Sequence, residues 1–159
     1  MKKMPPIEKI PEAYSAIADG RVRMEGTAEA HIRSSGGEKE YTVRWDGDTF
    51  CSDDNASCWQ GYPGYPVIAV LMLQGRLPLD RKIAALFSGV NWSVLNRKYR
   101  RDYAKAAAQV LAAIGADDGG TDAVHMEIKK VYEAVRWLDI TLRHGTRRTQ
   151  KQAGKEGSL

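Results

Sequence analysis

The feature that most restricts the fold of this chain is an uninterrupted apolar run at residues 67–73. A helix that is apolar on every side is stable only where protein covers all of its faces, so the run predicts a helix at the centre of a core. It is too short for a membrane span, which needs about 20 apolar residues. The basic start at Lys2 and Lys3 has no apolar segment behind it, so no secretory signal is predicted. We expect a cytoplasmic protein.

Between residues 21 and 51 the apolar period is two, which is typical of strands. Alternation runs through residues 22–32, where Gly26 interrupts the inner row and indicates a bulge or a twist. After a turn at residues 34–37 it continues through residues 41–45, and Asp46-Gly47 then favours a hairpin. These signals predict a three-stranded antiparallel meander in a strand-rich region, 21–52, with one face buried.

Helical spacing dominates the remaining chain, with a short helix before the strands and three helices after the central one. The later helices are predicted at residues 79–88, 92–114 and from Thr121 onwards. The last carries a seam of apolar residues that packs on the preceding helix or on a second copy of the chain; these are Val124, Ile128, Val131, Val135, Leu138 and Leu142. We predict one α+β domain, residues 1–146, with the meander packed on the central helix and a C-terminal helical array across 66–145. Residues 147–159 are predicted to form a basic, disordered tail.

The segment from the second strand to the central helix resembles the SWIM zinc-binding module. The resemblance rests on residues 41–43, 50–53 and 61–73, and it spans residues 41–73, about a fifth of the chain. Cys51 matches one of the four zinc-ligand positions, while the other three fall on Asp53, Gly64 and Pro66. The resemblance therefore implies a strand–strand–helix layout without zinc, and it implies binding to nucleic acid or protein.

The formal net charge is +4, and the excess of basic residues lies after residue 90. Residues 81–100 can be aligned with a helix-turn-helix motif, with Gly89 in the turn. Arg97, Arg100 and Arg101 would then contact phosphates or base edges, and Asn96 would contact a base. Ser88 and Lys98 occupy positions that the motif fills with apolar side chains, so an ordinary helical corner is the alternative.

Basic residues also recur at helical spacing on the two predicted C-terminal helices. Arg97, Arg101 and Lys105 are four residues apart, and Lys129, Arg136 and Arg143 are seven apart. Paired helices would join these stripes into a surface for phosphate backbones. Arg147, Arg148 and Lys151 would extend it. The alternative is a solvated face with no ligand.

Five aromatic residues are candidates for a groove that binds a peptide, a base or another planar ligand; these are Trp45, Trp59, Tyr62, Tyr65 and Trp92. Packing of the loop onto the domain explains them equally well.

Catalytic and metal signals are weak in this sequence. His31, His125 and His144 lie in no recognisable catalytic pattern, and Cys51 and Cys58 make a poor zinc pair. We expect no catalytic residues, no metal site and no cofactor. The expected function is non-catalytic binding of DNA or RNA. The alternative is a protein-interaction module, or a homodimer, that uses the aromatic loop or the seam of the last helix.

Overall fold

A computed structural model describes residues 3–118 and 121–143. It contains six α-helices, one π-helical turn and five strands in the described chain. In order, these are α1 (Lys9–Ala18), β1 (Val22–Glu25), β2 (Glu29–Arg33), β3 (Glu40–Asp46), β4 (Thr49–Ser52), the π-turn (Ala56–Gln60), α2 (Tyr65–Leu73), α3 (Arg81–Ala85), α4 (Trp92–Lys98), α5 (Tyr103–Asp118), α6 (Asp122–Trp137) and β5 (Thr141–Arg143). The predicted tail, with Arg147, Arg148 and Lys151, lies outside the described residues.

Helix α2 lies in the centre of the core, as the apolar run predicts. Residues 66–72 are all buried. Pro66 occupies the first turn, where its missing N–H has no intrahelical acceptor. Gly75, at a φ of 77°, follows the helix and supplies the left-handed conformation that ends it.

The α+β class is confirmed, but the three-stranded meander is wrong because the sheet has five strands in the order β1-β2-β3-β4-β5. Gly26 has a φ of 61° and belongs to the turn of a hairpin in which Glu25 pairs with Glu29. The predicted first strand is therefore two antiparallel strands. At the other edge, β5 pairs in parallel with β4, and Phe50 lies opposite Leu142.

The last predicted helix ends early. Helix α6 stops at Trp137, since Leu138 has extended backbone angles, and Leu142 and Arg143 belong to β5. Val124, Ile128, Val131 and Val135 are buried against the rest of the chain. These four residues of the seam are thus covered within one molecule, and self-association through the seam stays a prediction.

The predicted helix at residues 92–114 is two helices. Arg100 and Arg101 have φ values of 52° and 67°, which lie in the left-handed region and end α4 before α5 begins. Lys105 therefore lies on a different helix from Arg97. The prediction that Arg97, Arg101 and Lys105 form a stripe on one helix is therefore wrong. The predicted helical stripe of Lys129, Arg136 and Arg143 is also wrong, because Arg143 lies on β5.

One buried apolar cluster joins the sheet and the helices. Tyr14 of α1 stacks on Phe87, with ring centroids 5.6 Å apart. Trp92 donates its Nε1 hydrogen to Ser15 Oγ over 2.7 Å, and Ser15 donates to the carbonyl of Phe87 over 2.7 Å. These bonds fix the start of α4 against α1. None of the described helices combines the length and apolarity needed to cross a bilayer.

Candidate anion-binding cavity

A cavity of about 600 Å³ opens between α1, the turn after β2, the segment from Asp54 to Pro66, and α4 with the turn that follows it. Basic side chains outnumber acidic ones in its described lining. The basic residues are Lys9, Arg21, Lys39, Arg97, Arg100 and Arg101, and the acidic residues are Glu12 and Asp54. A concave surface with charges of one sign concentrates ions of the other sign, so the cavity attracts anions.

The backbone after α4 places Arg100 and Arg101 at the cavity. The Arg101 N–H donates to the carbonyl of Asn96 over 2.7 Å, and the Arg100 N–H donates to that of Arg97 over 3.1 Å. This is a Schellman ending, in which glycine usually occupies the position of Arg100. A left-handed conformation costs a residue with a Cβ about 1–2 kcal/mol. Strain of this kind is concentrated at functional sites, which makes the two arginines candidates for ligand contact.

Four of the cavity's basic side chains have no ion-pair partner in the described chain; these are Lys39, Arg97, Arg100 and Arg101. The other two are engaged. Lys9 Nζ lies 3.3 Å from Glu12 Oε2. Arg21 donates to the carbonyl of Arg33 over 2.7 Å and lies 3.6 Å from Asp19 Oδ2. The unpaired set is the part of the cavity with charge left for a ligand.

A buried polar group forms the base of the cavity. Glu12 is 5% exposed and accepts a hydrogen bond from Asn96 Nδ2 over 2.8 Å. Burial lowers the pKa of Lys9, but Glu12, Tyr103 and Tyr62 together outweigh burial, and the net pKa is raised, so Lys9 stays charged. Asn96 Oδ1 is buried and has no hydrogen-bond partner in the described structure. The hydrogen bond with Glu12 fixes the amide orientation of Asn96 and leaves Oδ1 inside the protein, out of reach of the cavity.

Aromatic rings form much of the wall; they come from Tyr41, Tyr62, Tyr65, Trp92 and Tyr103. Tyr41 and Tyr65 pack edge to face with centroids 6.2 Å apart, and Lys9 Nζ lies 4.1 Å from the centre of the Tyr103 ring. Burial raises the pKa of Tyr41, Tyr62 and Tyr65. Their hydroxyls therefore remain neutral donors at physiological pH, with no negative charge to repel an anion.

Asp54 and Gly64 hold the segment that carries Tyr62 and Tyr65. Asp54 is buried, and it accepts hydrogen bonds from Ser52 Oγ and from the Ser57 N–H, the latter over 3.0 Å. Burial raises the pKa of Asp54, although these hydrogen bonds oppose the change. A Cβ on Gly64 would overlap Asp54 Oδ2, so the close approach requires glycine. The Gly64 N–H donates to Ser57 Oγ over 2.9 Å and closes the segment.

The structure brings together parts of two predicted sites. Asn96, Arg97, Arg100 and Arg101 line the same cavity as Tyr62, Tyr65 and Trp92. The remaining predicted residues lie outside it. They are Lys105, Lys129, Arg136, Arg143, Trp45 and Trp59.

Three of these six outlying residues contact other side chains, and a fourth, Trp59, is exposed. Trp45 stacks on Phe50 at 6.0 Å, and Trp59 projects from the π-turn with 49% of its surface exposed. Lys105 lies 3.8 Å from Asp102, and Arg136 lies 3.2 Å from Glu133.

Sequence reasoning missed several lining residues. Lys9, Glu12, Arg21, Lys39 and Tyr103 have no motif that marks them. Lys9 and Glu12 lie one helical turn apart on the polar side of α1, a pattern that is also typical of a solvated face. They meet Asn96 only through tertiary packing.

The fold and the cavity together define an α+β domain with a basic, aromatic-lined pocket. The chain belongs to the family described as uncharacterised conserved protein UCP014422, whose family model matches residues 2–141. The match includes every residue that lines the cavity. No curated protein and no solved structure matches the chain.

Proposed function

We propose that this chain is a non-catalytic domain that binds single-stranded nucleic acid in the cavity. The observation that carries the proposal is that unpaired Arg97, Arg100 and Arg101 lie in one concave surface with Tyr62 and Tyr65. Proteins that bind single strands combine a positive groove for the backbone with aromatic rings on which bases stack.

The phosphate and the base of a nucleotide each have a complementary group in the cavity. Guanidinium groups bind phosphate oxygens through charge-assisted hydrogen bonds, and Lys39 adds a further positive charge. Tyr62 lies at the wall with its ring partly exposed and offers a stacking surface.

The shape of the site favours a single strand over a duplex. A helix-turn-helix protein inserts a projecting recognition helix into the major groove. Here α4 has only seven residues, and Asn96 and Arg97 face a cavity. A cavity of about 600 Å³ accommodates unstacked nucleotides but not a double helix.

The SWIM-type relationship remains a prediction. Strands β3 and β4 precede α2, which is the chain order that the resemblance implies. Asp53, at one ligand position, accepts a hydrogen bond from the Thr42 N–H over 2.9 Å. Nucleic-acid binding by SWIM modules agrees with the proposed ligand class but does not carry the proposal.

A protein-interaction role is the second candidate. Trp59 is 49% exposed in the aromatic loop, and Met126 and Trp137 are 72% and 78% exposed on α6. Large exposed apolar side chains are typical of interaction surfaces when they are contiguous. These three are single residues, so the cavity has the stronger support.

Fluorescence anisotropy with the full chain tests the proposal. The probes are a labelled oligothymidylate of about 12 nucleotides, a duplex of the same length and inorganic polyphosphate as competitor. We expect the single strand to bind most tightly at low salt, because only it offers both phosphates and accessible bases. Tighter binding of the duplex, or no binding of the single strand at low salt, would contradict the proposal.

A further inference from the structure

Three potential metal ligands converge beside the β1–β2 turn, outside the cavity. His31 Nε2 lies 3.0 Å from Glu25 Oε2 and 2.9 Å from Glu29 Oε2. The hairpin register creates this arrangement, because Glu25 and Glu29 are paired across the strands and His31 lies two residues further on the same face of β2.

The other polar atom of each ligand is already held by a neighbour. Glu29 Oε1 accepts from Arg44 Nε over 2.7 Å, and Glu25 Oε1 lies 3.2 Å from Arg23 Nη2. His31 Nδ1 lies 3.3 Å from Thr42 Oγ1 and 3.4 Å from Glu40 Oε1.

Two carboxylate oxygens and one imidazole nitrogen thus lie within 4.8 Å of one another. Metal-binding histidines are oriented in this way, with the second ring nitrogen bonded to a carboxylate or another acceptor.

We propose that Glu25, Glu29 and His31 bind a divalent transition metal of the Zn²⁺ class. Zinc accepts nitrogen and carboxylate ligands at about 2.0–2.2 Å, and tetrahedral geometry then separates ligand atoms by about 3.3 Å. The observed separations of 2.9 and 3.0 Å need only a small expansion. The imidazole nitrogen selects against Ca²⁺ and Mg²⁺, which prefer oxygen ligands.

The site has two features that define its chemistry. The two carboxylates also pair with Arg44 and Arg23, which offset part of their negative charge, and three protein ligands leave a fourth position for water or an external ligand. A bound metal also cross-links β1 to β2, so it stabilises the hairpin. None of the three ligands lines the nucleic-acid cavity, and this inference is independent of that function.

Competition titration of Zn²⁺ against a chromophoric chelator tests the site in the full chain. We expect one equivalent to bind. His31→Gln should weaken binding by roughly 100-fold through loss of the nitrogen ligand, and Glu25→Gln and Glu29→Gln by at least roughly tenfold. Glu40→Gln should also weaken it by about tenfold, because Glu40 positions the ring without touching the metal.

His125→Gln and Cys51→Ser are the matched controls, and both should leave Zn²⁺ affinity unchanged. Absorption of the Co²⁺ form should report a tetrahedral centre that is lost in His31→Gln. Thermal unfolding without metal verifies that His31→Gln is folded. Absence of Zn²⁺ binding, or equal binding by wild type and His31→Gln, would overturn the proposal.

Discussion

Basic side chains meet different surroundings in the cavity and on the outer face of α6. On α6, Arg136 lies 3.2 Å from Glu133 and Lys130 lies 3.9 Å from Glu127, each one helical turn away. In the cavity, Arg97, Arg100 and Arg101 have no ion-pair partner in the described structure. Exposed pairs contribute about 0–1 kcal/mol and leave little net field, whereas clustered unpaired charges attract anions. Charge alone therefore does not identify a site, but unpaired charge in a concave surface does.

The two regions also differ in backbone conformation. Helix α6 is regular through Trp137, while the cavity has consecutive left-handed residues at Arg100 and Arg101. A folding requirement alone would favour glycine at Arg100. Stability alone therefore does not explain arginine there, whereas ligand contact under the proposed function does.

The largest expected effect concerns the close packing of the cavity wall, a feature that distinguishes the cavity from the outer face of α6. Gly64→Ala should lower the free energy of unfolding by about 3 kcal/mol, because the added Cβ overlaps the buried Asp54 carboxylate. Gly36→Ala is the control, since its Cβ would meet Ser93 at an ordinary 3.5 Å. Urea unfolding measures both, and equal stability of the two variants would contradict this account of the wall.

The next effect separates the charges of the two regions. Arg97→Ala/Arg101→Ala should weaken oligothymidylate binding by roughly 100-fold, because two charge-assisted contacts are lost. Lys129→Ala/Arg136→Ala removes the same formal charge from α6 and should change affinity by less than about threefold. Anisotropy at constant salt gives both values. Equal losses would show that overall charge, and not the cavity, determines binding.

A smaller effect should separate the aromatic residues inside and outside the cavity. Tyr62→Ala should weaken single-strand binding by about fivefold to tenfold through loss of a stacking surface. Trp59→Ala, on the exposed π-turn, should leave affinity unchanged. The reverse result would favour the aromatic loop as the binding surface and move the site out of the cavity.

The smallest expected effect is that of Arg100→Gly, which should stabilise the fold but weaken binding of the single strand. Arg100→Gly should raise the free energy of unfolding by up to about 1 kcal/mol, because glycine adopts the left-handed conformation without a Cβ clash. It should also weaken binding, since a cavity guanidinium is removed. Arg100→Ala should weaken binding equally but gain no stability. Thermal unfolding and anisotropy of the two variants test this difference.

Sequence patterns predict the central helix and the strand-rich region, but two chain reversals have no distinct pattern. In the β1–β2 hairpin Val22 pairs with Ile32 and Met24 with Ala30, so residues of the same parity share a face on both strands. After the interruption at Gly26 the alternation resumes with the same parity, so the sequence pattern of a hairpin cannot be told from that of one long strand with a bulge. The same ambiguity conceals the Glu25, Glu29 and His31 cluster, where no metal site was expected.

The break between α4 and α5 is hidden for a similar reason. Tyr99 and Tyr103 are four residues apart, and the apolar stripe continues across the break with no Gly or Pro to mark it. The basic and aromatic residues of the cavity are visible in the sequence. Their proximity to Lys9 and Glu12 cannot be seen in the sequence, because it depends on the packing of α1 against α4.

In the proposed function the unpaired cations of the cavity contact phosphates, and such contacts make single-strand binding depend on salt concentration. For single strands the logarithm of affinity falls with the logarithm of salt concentration by about 0.7 for each phosphate contacted. We expect Arg97→Ala/Arg101→Ala to make this slope shallower by about 1.4, which corresponds to two lost contacts, and Lys129→Ala/Arg136→Ala to leave it unchanged. A wild-type slope in the cavity variant, with a shallower slope in the α6 variant, would contradict the account.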